Sequence, residues 1–271
     1  RDCACDTGDS GKDGDLKSEK IGQKHIVCIS GGKDSMATAI LALEHGEPLD
    51  MAVYCEVMFD KETSGEVPEH REFIYNRMIP WLEGNGVPIY VVRGEKTYLD
   101  CFFHVISKSK NLERNGKLRG FVIAGMCVVN DSCKIKPLQK YIKLHGLNDA
   151  AQYIGIAADE EKRLKRLNGK TKISLLAKYG YTEADAAELC KKYGLYSPAY
   201  QFSNRNGCWF CPNCRSNEFA EFKRRYPDLW QRLLDLGKVE NLVSYGFKYG
   251  KTIEEVDREI SMQAAQMRLW E

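Results

Sequence analysis

Long apolar runs are absent from this 271-residue chain. No stretch approaches the roughly 20 residues that a membrane-spanning helix needs, and the N-terminus lacks the apolar core of a signal peptide. The formal net charge of +2 is near neutral, so overall charge argues neither for nor against a nucleic-acid partner. Residues 1–20 have almost no large apolar side chains, which predicts a disordered tail. We therefore expect a soluble, cytoplasmic protein with no membrane partner.

A disulfide scaffold is not expected either, although the chain has 11 cysteines. In an intracellular protein, this number favours metal binding or thiol chemistry. Cys28 and Cys55 lie inside apolar, strand-like runs, and Cys101 stands beside two phenylalanines. We interpret these three cysteines as small buried core residues.

Three later cysteines are closely spaced: Cys208, Cys211 and Cys214. Two residues between cysteines allow both sulfurs to face one ion or cluster, so C-x2-C spacing recurs in zinc and iron–sulfur sites. The spacing does not choose between Zn²⁺ and a [4Fe-4S] cluster. Either a fourth ligand comes from elsewhere, or one site of a cluster stays open for sulfur. The candidates for that ligand are Cys133, Cys127 and Cys190, the last of which lies on a predicted helix where a core role is the alternative.

A glycine turn near the N-terminus stands between a predicted strand, His25–Ile29, and a predicted helix that starts near Met36. A strand, a turn and a helix N-terminus together bind anions. The glycines let backbone N–H groups approach phosphate oxygens, and the helix dipole favours negative charge. A lysine adds a full positive charge, while two serines and an aspartate supply oxygens for capping or for a hydrated Mg²⁺. The predicted nucleotide-binding residues are Ser30, Gly31, Gly32, Lys33, Asp34 and Ser35.

This Ser30–Ser35 loop is not a Walker A loop. Two other Gly-Lys-Thr triplets, Gly169–Thr171 and Gly250–Thr252, also lack the upstream glycine of that motif. The loop resembles the S-G-G-x-D-S sequence of the ATP pyrophosphatases, the PP-loop or adenine nucleotide alpha hydrolase superfamily. Its members include adenylating sulfurtransferases and, with an altered loop, adenylylsulfate reductases. The resemblance implies binding of ATP.

Further segments resemble the PAPS reductase branch of that superfamily. Ser132–Leu138 is similar to its "C…K-I-x-P-L" segment, and Ile154–Glu160 is similar to its "G-I-R-x-D-E" strand end. Asp60 begins an acidic turn where the family lines its nucleotide site. The resemblance covers roughly residues 24–215. It implies that a cysteine near the K-I-x-P-L segment, here Cys133, and a later C-x-x-C hold an iron–sulfur cluster in some members.

The chain also departs from true sulfonucleotide reductases. No cysteine follows Cys214, so their C-terminal catalytic cysteine is missing. Ala157 replaces the arginine of the G-I-R-x-D-E motif, and the phosphate loop is the intact ATP type. These differences favour cleavage of ATP over reduction of a sulfonucleotide.

Strands that alternate with helices predict an α/β fold with a parallel twisted sheet flanked by helices, like the HUP-type folds of the resembled family. We expect this nucleotide-binding domain over residues 21–172, and a mostly helical region with the cysteine cluster over residues 173–271. The predicted strands are His25–Ile29, Met51–Phe59, Pro88–Val92, Phe121–Ala124 and Tyr153–Ala157. The predicted helices after the first are Phe73–Leu82, Pro137–Leu144, Thr182–Tyr193, Asn217–Leu236 and Ile253–Leu269.

Two basic segments, Lys108–Arg119 and Lys162–Lys172, are predicted to contact nucleic-acid phosphates or, equally, to be solvated surface. The resemblance implies an ATP-dependent adenylating enzyme that transfers sulfur to a nucleic acid, tRNA or DNA, from a sulfur-donor protein. Lys33 and Lys134 would offset phosphate charge, and Asp34 or Asp60 would position Mg²⁺. Two alternatives are a sulfonucleotide reductase and a metal-containing nucleic-acid-binding or regulatory module that uses ATP only as a ligand.

Overall fold

The computed structural model describes residues 22–122, 127–204 and 206–268, which include a parallel sheet. The strands are β1 (His25–Ile29), β2 (Met51–Glu56), β3 (Ile89–Arg93), β4 (Leu118–Gly120), β5 (Ala151–Tyr153), β6 (Lys172–Ile173) and β7 (Leu242–Ser244). Five of them form the main sheet in the order β3-β2-β1-β5-β6, and β4 pairs with β7 outside it. The strand order reverses between β1 and β5, and in open α/β sheets the point outside the carboxyl ends of two such strands is where ligands bind.

Helices cover the sheet and build the C-terminal region. They are α1 (Lys33–Glu44), α2 (Pro68–Phe73), α3 (Ile79–Gly84), α4 (Tyr98–Phe102), α5 (Lys136–Leu144), α6 (Glu161–Leu164), α7 (Leu175–Lys178), α8 (Glu183–Lys192), α9 (Ser216–Arg225), α10 (Pro227–Gly237) and α11 (Ile253–Arg268). A π-helical turn, Ile74–Met78, joins α2 to α3, and another, Asn130–Ile135, leads into α5. Within the described ranges, no helix combines the length and apolar character needed to cross a membrane.

Helix α1 is central to the first hydrophobic cluster. Its residues Ser35–Ala42 are all buried, because β1 lies on one side of the helix and α7 and α8 pack on others. Along β1, Val27 and Ile29 face this cluster, whereas Ile26 packs on the opposite face of the sheet with Ile142 of α5. This alternation has the two-residue period of a strand, and it buries both faces of the sheet.

A second hydrophobic cluster joins the segment after β2 to α4, α9, α10 and α11. Aromatic rings fill its centre. The Phe59 ring lies 4.5 Å from the Trp209 ring, and the Tyr98 ring lies 4.2 Å from the Phe210 ring. This packing places the closely spaced cysteines against the segment that follows β2.

The predicted fold class is confirmed: helices flank a parallel sheet, and the C-terminal region is mostly helical. Several boundaries were wrong. The strand predicted over Met51–Phe59 ends at Glu56, and the helix predicted from Phe73 begins at Pro68. The helix predicted over Asn217–Leu236 is two helices, because Pro227 has no N–H with which to continue α9.

Other predictions differ in position or lie beyond the described ranges. Strand β4 ends before Phe121, and residues 123–124 of the predicted strand lie outside the described residues, as does the predicted tail, residues 1–20. The strand predicted over Tyr153–Ala157 is instead Ala151–Tyr153. Cys55 and Cys101 are buried as predicted, but Cys28 is only half-buried. Strand β6 spans the predicted boundary at residue 172, and the division into two domains stays a prediction.

Candidate functional site

The Ser30–Ser35 loop connects β1 directly to α1, which confirms its predicted setting. Gly31 has a φ of +73°, and a Cβ there would lie 2.9 Å from side-chain carbons of His70 and Ile74. Only glycine fits both constraints. The Ser35 hydroxyl donates to the Gly32 carbonyl at 2.9 Å and accepts from the Ser30 N–H at 3.1 Å. The loop is therefore a tight turn closed by its own side chains.

Gly155, just beyond β5, lies against the start of α1. A Cβ on Gly155 would be 2.7 Å from the Ser35 nitrogen and 2.8 Å from the Asp34 carbonyl carbon. Both are backbone atoms, so a larger residue would force the loop to shift. The two sides of the switch point, after β1 and after β5, thus meet at this loop. In open α/β sheets, ligands bind at such a point.

Lys33 is the cation of the loop. Its Nζ lies 2.7 Å from Asp34 Oδ1 and 3.2 Å from Glu183 Oε2 of α8. Burial opposes the charge of Lys33, but the two carboxylates outweigh it and raise the pKa of the ammonium group. Burial raises the pKa of Asp34, against the effect of Lys33. Lys33 is accordingly protonated at neutral pH and brings a positive charge to the helix N-terminus.

Two residues that sequence reasoning did not assign to the loop, Tyr200 and His70, contact it, and a third, Ser197, contacts His70. The Tyr200 hydroxyl accepts the Lys33 N–H at 3.0 Å. His70 Nε2 lies 3.0 Å from the Ser30 carbonyl oxygen, and its Nδ1 lies 2.8 Å from Ser197 Oγ. Burial lowers the pKa of His70, so the ring is neutral and its Nε2–H donates to the carbonyl. These contacts join residues that are far apart in sequence. Their only local sequence signal is the Ser197-Pro198 pair, which starts the 3₁₀ turn Pro198–Gln201 that carries Tyr200.

Asp60, predicted to line the nucleotide site, is held by other groups. Its carboxylate accepts the N–H groups of Glu62 and Thr63 at 2.8 and 2.6 Å and pairs with Arg232 of α10. Burial opposes its charge, but Arg232 and the N–H groups prevail and lower the pKa of Asp60 to about 2. Asp60 therefore fixes the turn after β2 to the C-terminal helices. A role in positioning Mg²⁺ stays a prediction.

Lys134 lies within electrostatic reach of both His70, which contacts the Ser30–Ser35 loop, and Cys208. Its carbonyl oxygen is 3.5 Å from the Cys55 sulfur. Its charge acts to lower the pKa of His70, which contacts the loop, and also that of Cys208. A half-buried cation within electrostatic reach of both places suits the predicted phosphate contact.

The cysteines lie on a segment that is pinned to the turn after β2. Cys208 forms a β-bridge with the buried Glu66. The Trp209 backbone N–H donates to Gly65 O at 3.0 Å, and its indole N–H donates to Ser64 O at 2.9 Å. The segment then coils through two tight turns that present all three cysteines within one short loop: Cys211 N to Cys208 O, 2.9 Å, and Cys214 N to Cys211 O, 3.1 Å.

We call residues 203–215 the cysteine segment. Glu218 of α9 forms hydrogen bonds at both ends of this segment. One carboxylate oxygen accepts the Ser203 hydroxyl at 3.0 Å and the Asn204 N–H at 2.8 Å, where the segment begins. The other accepts the Arg215 N–H at 2.6 Å, where the segment ends. Glu218 is buried, so these bonds are shielded from water.

The other predicted ligands divide between two places. Burial raises the pKa of Cys208, and Glu66, Cys211 and Cys127 add to the effect. The pKa of Cys133 is raised by its hydrogen bond with Cys101, 3.8 Å away, and by burial, with a smaller effect of Cys208. Cys127 and Cys133 are thus within electrostatic reach of Cys208, and Cys133 packs in the same hydrophobic cluster. Cys190 instead belongs to the first cluster, and its sulfur lies 3.2 Å from the Lys33 carbonyl oxygen.

The chemistry of the cysteine segment fits a thiolate-bound metal. Three cysteines have ligand spacing, and Lys248 donates to the Cys214 carbonyl, which adds a cation beside them. In the described part of the chain, the buried amide nitrogen and oxygen of Asn206 have no hydrogen-bond partner, so they are available to atoms bound at this segment. Across those same ranges, no three His, Cys, Asp or Glu side chains are already arranged as a metal site.

The fold and the loop define a parallel α/β protein with a glycine turn at the switch point of its sheet. No family model matches the sequence. The uncharacterized protein MJ0066 of Methanocaldococcus jannaschii is 26% identical over 224 residues, which cover 79% of this chain and 41% of that protein. The chain thus spans about two fifths of the length of this relative. Among solved structures, the U34-tRNA thiolase NcsA from Methanococcus maripaludis, with its [4Fe-4S] cluster, matches at a TM-score of 0.40 and 13% identity, over 88% of this chain and 81% of that chain.

Proposed function

We propose that this protein is an ATP-dependent adenylating enzyme that releases pyrophosphate and transfers sulfur to a nucleic acid, tRNA or DNA. The observation that carries the proposal is the geometry of the Ser30–Ser35 loop. It has a glycine at positive φ, a protonated lysine and the N-terminus of a twelve-residue helix, all at the switch point of a parallel sheet. This combination suits a polyphosphate, because backbone N–H groups, helix dipole and lysine charge all favour an anion.

The chain's own residues supply positioning and charge. The backbone N–H groups at the start of α1 would orient the β- and γ-phosphates of ATP, and the Lys33 ammonium would offset the charge of the departing pyrophosphate. Asp34 and Ser35 would hold Mg²⁺, which neutralises phosphate charge. An oxygen of the acceptor attacks the α-phosphorus, the bond to pyrophosphate breaks, and sulfur from the donor then displaces AMP.

Thiolates of the cysteine segment, Cys208, Cys211 and Cys214, with Cys133 or Cys127, would hold the metal group. A [4Fe-4S] cluster with one open iron would bind sulfide, and Zn²⁺ would be structural. Cys190 lies with the phosphate loop and is better placed to support Lys33 than to bind this group.

The basic segments support a nucleic-acid acceptor. Lys108, Lys110 and Arg114 are exposed on the turn between α4 and β4, and Lys165 and Arg166 are exposed after α6. Among the described residues, none of these five cations has an ion-pair partner. Unpaired surface cations suit the phosphates of a tRNA or DNA backbone.

Pyrophosphate release from ATP tests the enzymatic proposal. We expect Lys33→Ala to reduce the rate by on the order of 100-fold, because one charge-stabilising group is removed from the phosphate site. The matched control is Lys251→Ala, an exposed lysine in a Gly-Lys-Thr triplet outside both basic segments, and it should stay within about twofold of wild type. ATP binding without pyrophosphate release, with RNA, DNA and a sulfur donor present, would favour the binding-module alternative. Sulfite production from adenylylsulfate or PAPS with a thiol reductant would favour a reductase.

The metal group is tested on protein prepared without oxygen. A brown protein with iron and sulfide in a 1:1 ratio supports the cluster. A colourless protein with stoichiometric zinc would contradict the cluster but not the adenylation.

A further inference from the structure

One short turn contacts the phosphate loop and leads directly into the cysteine segment. The 3₁₀ turn Pro198–Gln201 ends two residues before Ser203, where the cysteine segment begins. Two independent links attach this turn to the phosphate loop. The first is the Lys33 N–H to the Tyr200 hydroxyl, and the second runs from the Ser30 carbonyl through His70 to the Ser197 hydroxyl.

The Tyr200 hydroxyl accepts a hydrogen bond from the Lys33 backbone N–H, a donor that a bound phosphate would also use. Lys33 is the first residue of α1, and its N–H is one of those left without a partner inside the helix. Burial raises the pKa of Tyr200 to about 12, so the hydroxyl is neutral and competes with an anion only as a weak acceptor. Because an N–H group makes one strong hydrogen bond, a phosphate oxygen that takes this donor must displace the phenol oxygen.

Displacement at Tyr200 is transmitted along hydrogen-bonded backbone. The Ser203 N–H donates to the Ala199 carbonyl at 3.0 Å, so the turn and the start of the cysteine segment share a bond. Ser203 and Asn204 are bound to Glu218, which also holds Arg215, the residue after Cys214. A shift of the turn therefore reaches both ends of the segment through one buried carboxylate.

We propose that Tyr200 is a positioning residue that couples nucleotide phosphates at the Ser30–Ser35 loop to the conformation of the cysteine segment. This inference rests on the proposed function, since it requires the loop to bind nucleotide. It goes beyond that proposal in making the phosphate site and the cysteine segment respond to each other. By reciprocity, a change at the cysteine segment that moves the turn also changes the affinity for nucleotide.

Hydrogen–deuterium exchange with a non-hydrolysable ATP analogue and Mg²⁺ tests the coupling on the full-length, metal-loaded protein. In wild type, the analogue should raise the exchange rate of amides in residues 198–204 at least threefold and change that of residues 206–215. Tyr200→Phe keeps the ring and removes the competing oxygen. This variant should bind the analogue about two- to tenfold more tightly, which is the worth of one ordinary hydrogen bond, and should show no analogue-dependent change over residues 198–215.

Tyr196→Phe is the matched control, because the Tyr196 ring stacks on Tyr200 at 4.7 Å while, among the described residues, its hydroxyl makes no hydrogen bond to the loop. It should behave as wild type. Analogue binding to wild type without an exchange change in residues 198–215 would overturn the coupling alone, as would an unchanged response in Tyr200→Phe. Failure of wild type to bind the analogue would overturn both the coupling and the proposed function. Calorimetric titration before the exchange experiment separates these two results.

Discussion

The Asp60 carboxylate was predicted to position a metal ion, but groups of the protein already bind both of its oxygens. Two backbone N–H groups and the Arg232 guanidinium surround it, and the guanidinium also lies over the Phe59 ring at 4.4 Å. The carboxylate thus connects the turn after β2 to α10 by charge and by packing. Its contribution to stability should depend on pH, because its pKa is displaced from the ordinary value.

Asp60→Asn should lower the free energy of unfolding by about 1 kcal/mol at pH 7, since a partly exposed, hydrogen-bonded ion pair is lost. The folded-state pKa of about 2 lies below the ordinary value of 3.8. The stabilisation is therefore complete above about pH 5 and is lost as pH falls towards 2, so wild type and variant should converge in acid. Urea unfolding at pH 7, 4 and 3 measures the difference. Glu62→Gln removes an exposed charge two residues away and is the control; equal losses in both variants, or a difference independent of pH, would contradict the prediction.

Single residues of the candidate site were predictable only where their signal is local. The setting of the Ser30–Ser35 loop between strand and helix could be predicted from the sequence, because turn, charge and helix start are encoded side by side. His70, Tyr200 and Glu218 could not, since each acts across a distance in sequence that only the folded chain closes. A buried glutamate in an amphipathic helix such as α9 has no pattern that distinguishes it from a surface glutamate.

At the scale of elements, a buried carboxylate ties β2 to its neighbours. The Glu56 side chain is fully buried at the end of β2 and accepts hydrogen bonds from Arg71, Tyr75 and Arg93 at 2.8 to 2.9 Å. Arg93 ends β3, while Arg71 and Tyr75 come from the helix that begins with α2. Burial works against ionisation of Glu56, but hydrogen bonds from Ser64 and these residues outweigh it and lower the pKa. The carboxylate is therefore charged at neutral pH.

Glu56→Gln should destabilise the fold by about 2 to 4 kcal/mol, because two arginines lose their shared counter-charge while the shape is kept. The midpoint of urea unfolding at pH 7 gives the value. Glu83→Gln, on the exposed surface of α3, makes the same chemical change without a partner among the described residues and should stay within about 0.5 kcal/mol of wild type. A loss of less than about 1 kcal/mol for Glu56→Gln would show that the network adds little.

Whether a segment is a helix or a strand was predicted better than the residues at which it begins and ends. The alternation of apolar strands with helices was strong enough to give the parallel sheet. Strand β6 has two residues, too few for any period, and was not found. The break at Pro227 was missed because the apolar pattern of α9 continues into α10 across the proline, although proline at that position starts a helix more readily than it continues one.

At the scale of the whole molecule, two hydrophobic clusters are joined by polar links. The first contains the sheet and α1, and the second contains the C-terminal helices and the turn after β2. The Arg225–Glu69 ion pair, 3.1 Å, joins α9 of the second cluster to α2, which contributes Phe73 to the first, and the chain runs directly from β2 of the first cluster into the turn of the second. We therefore expect the two clusters to unfold together.

Leu233→Ala tests this expectation. The side chain is fully buried in α10, so its truncation should cost about 2 to 5 kcal/mol and lower the stability of the whole chain, not of the C-terminal helices alone. Circular dichroism and tryptophan fluorescence should report one coincident transition. Leu144→Ala, at a residue 73% exposed on α5, should cost less than about 0.5 kcal/mol. A second transition that appears only in Leu233→Ala would mean that the clusters unfold independently.

The contact of Gly155 with the first turn of α1 has a consequence for how the chain folds. Strand β1 pairs with β5, and these strands are separated by most of the α/β part of the chain. Such pairing is slow, because a long loop must close before its contacts are made. The first turn of α1 can form early, but the Gly155 backbone that packs against it is in place only after β5 has joined the sheet. If the loop binds nucleotide as proposed, it becomes competent to do so only after β5 has paired with β1, and a bound nucleotide would stabilise only chains that have reached that stage.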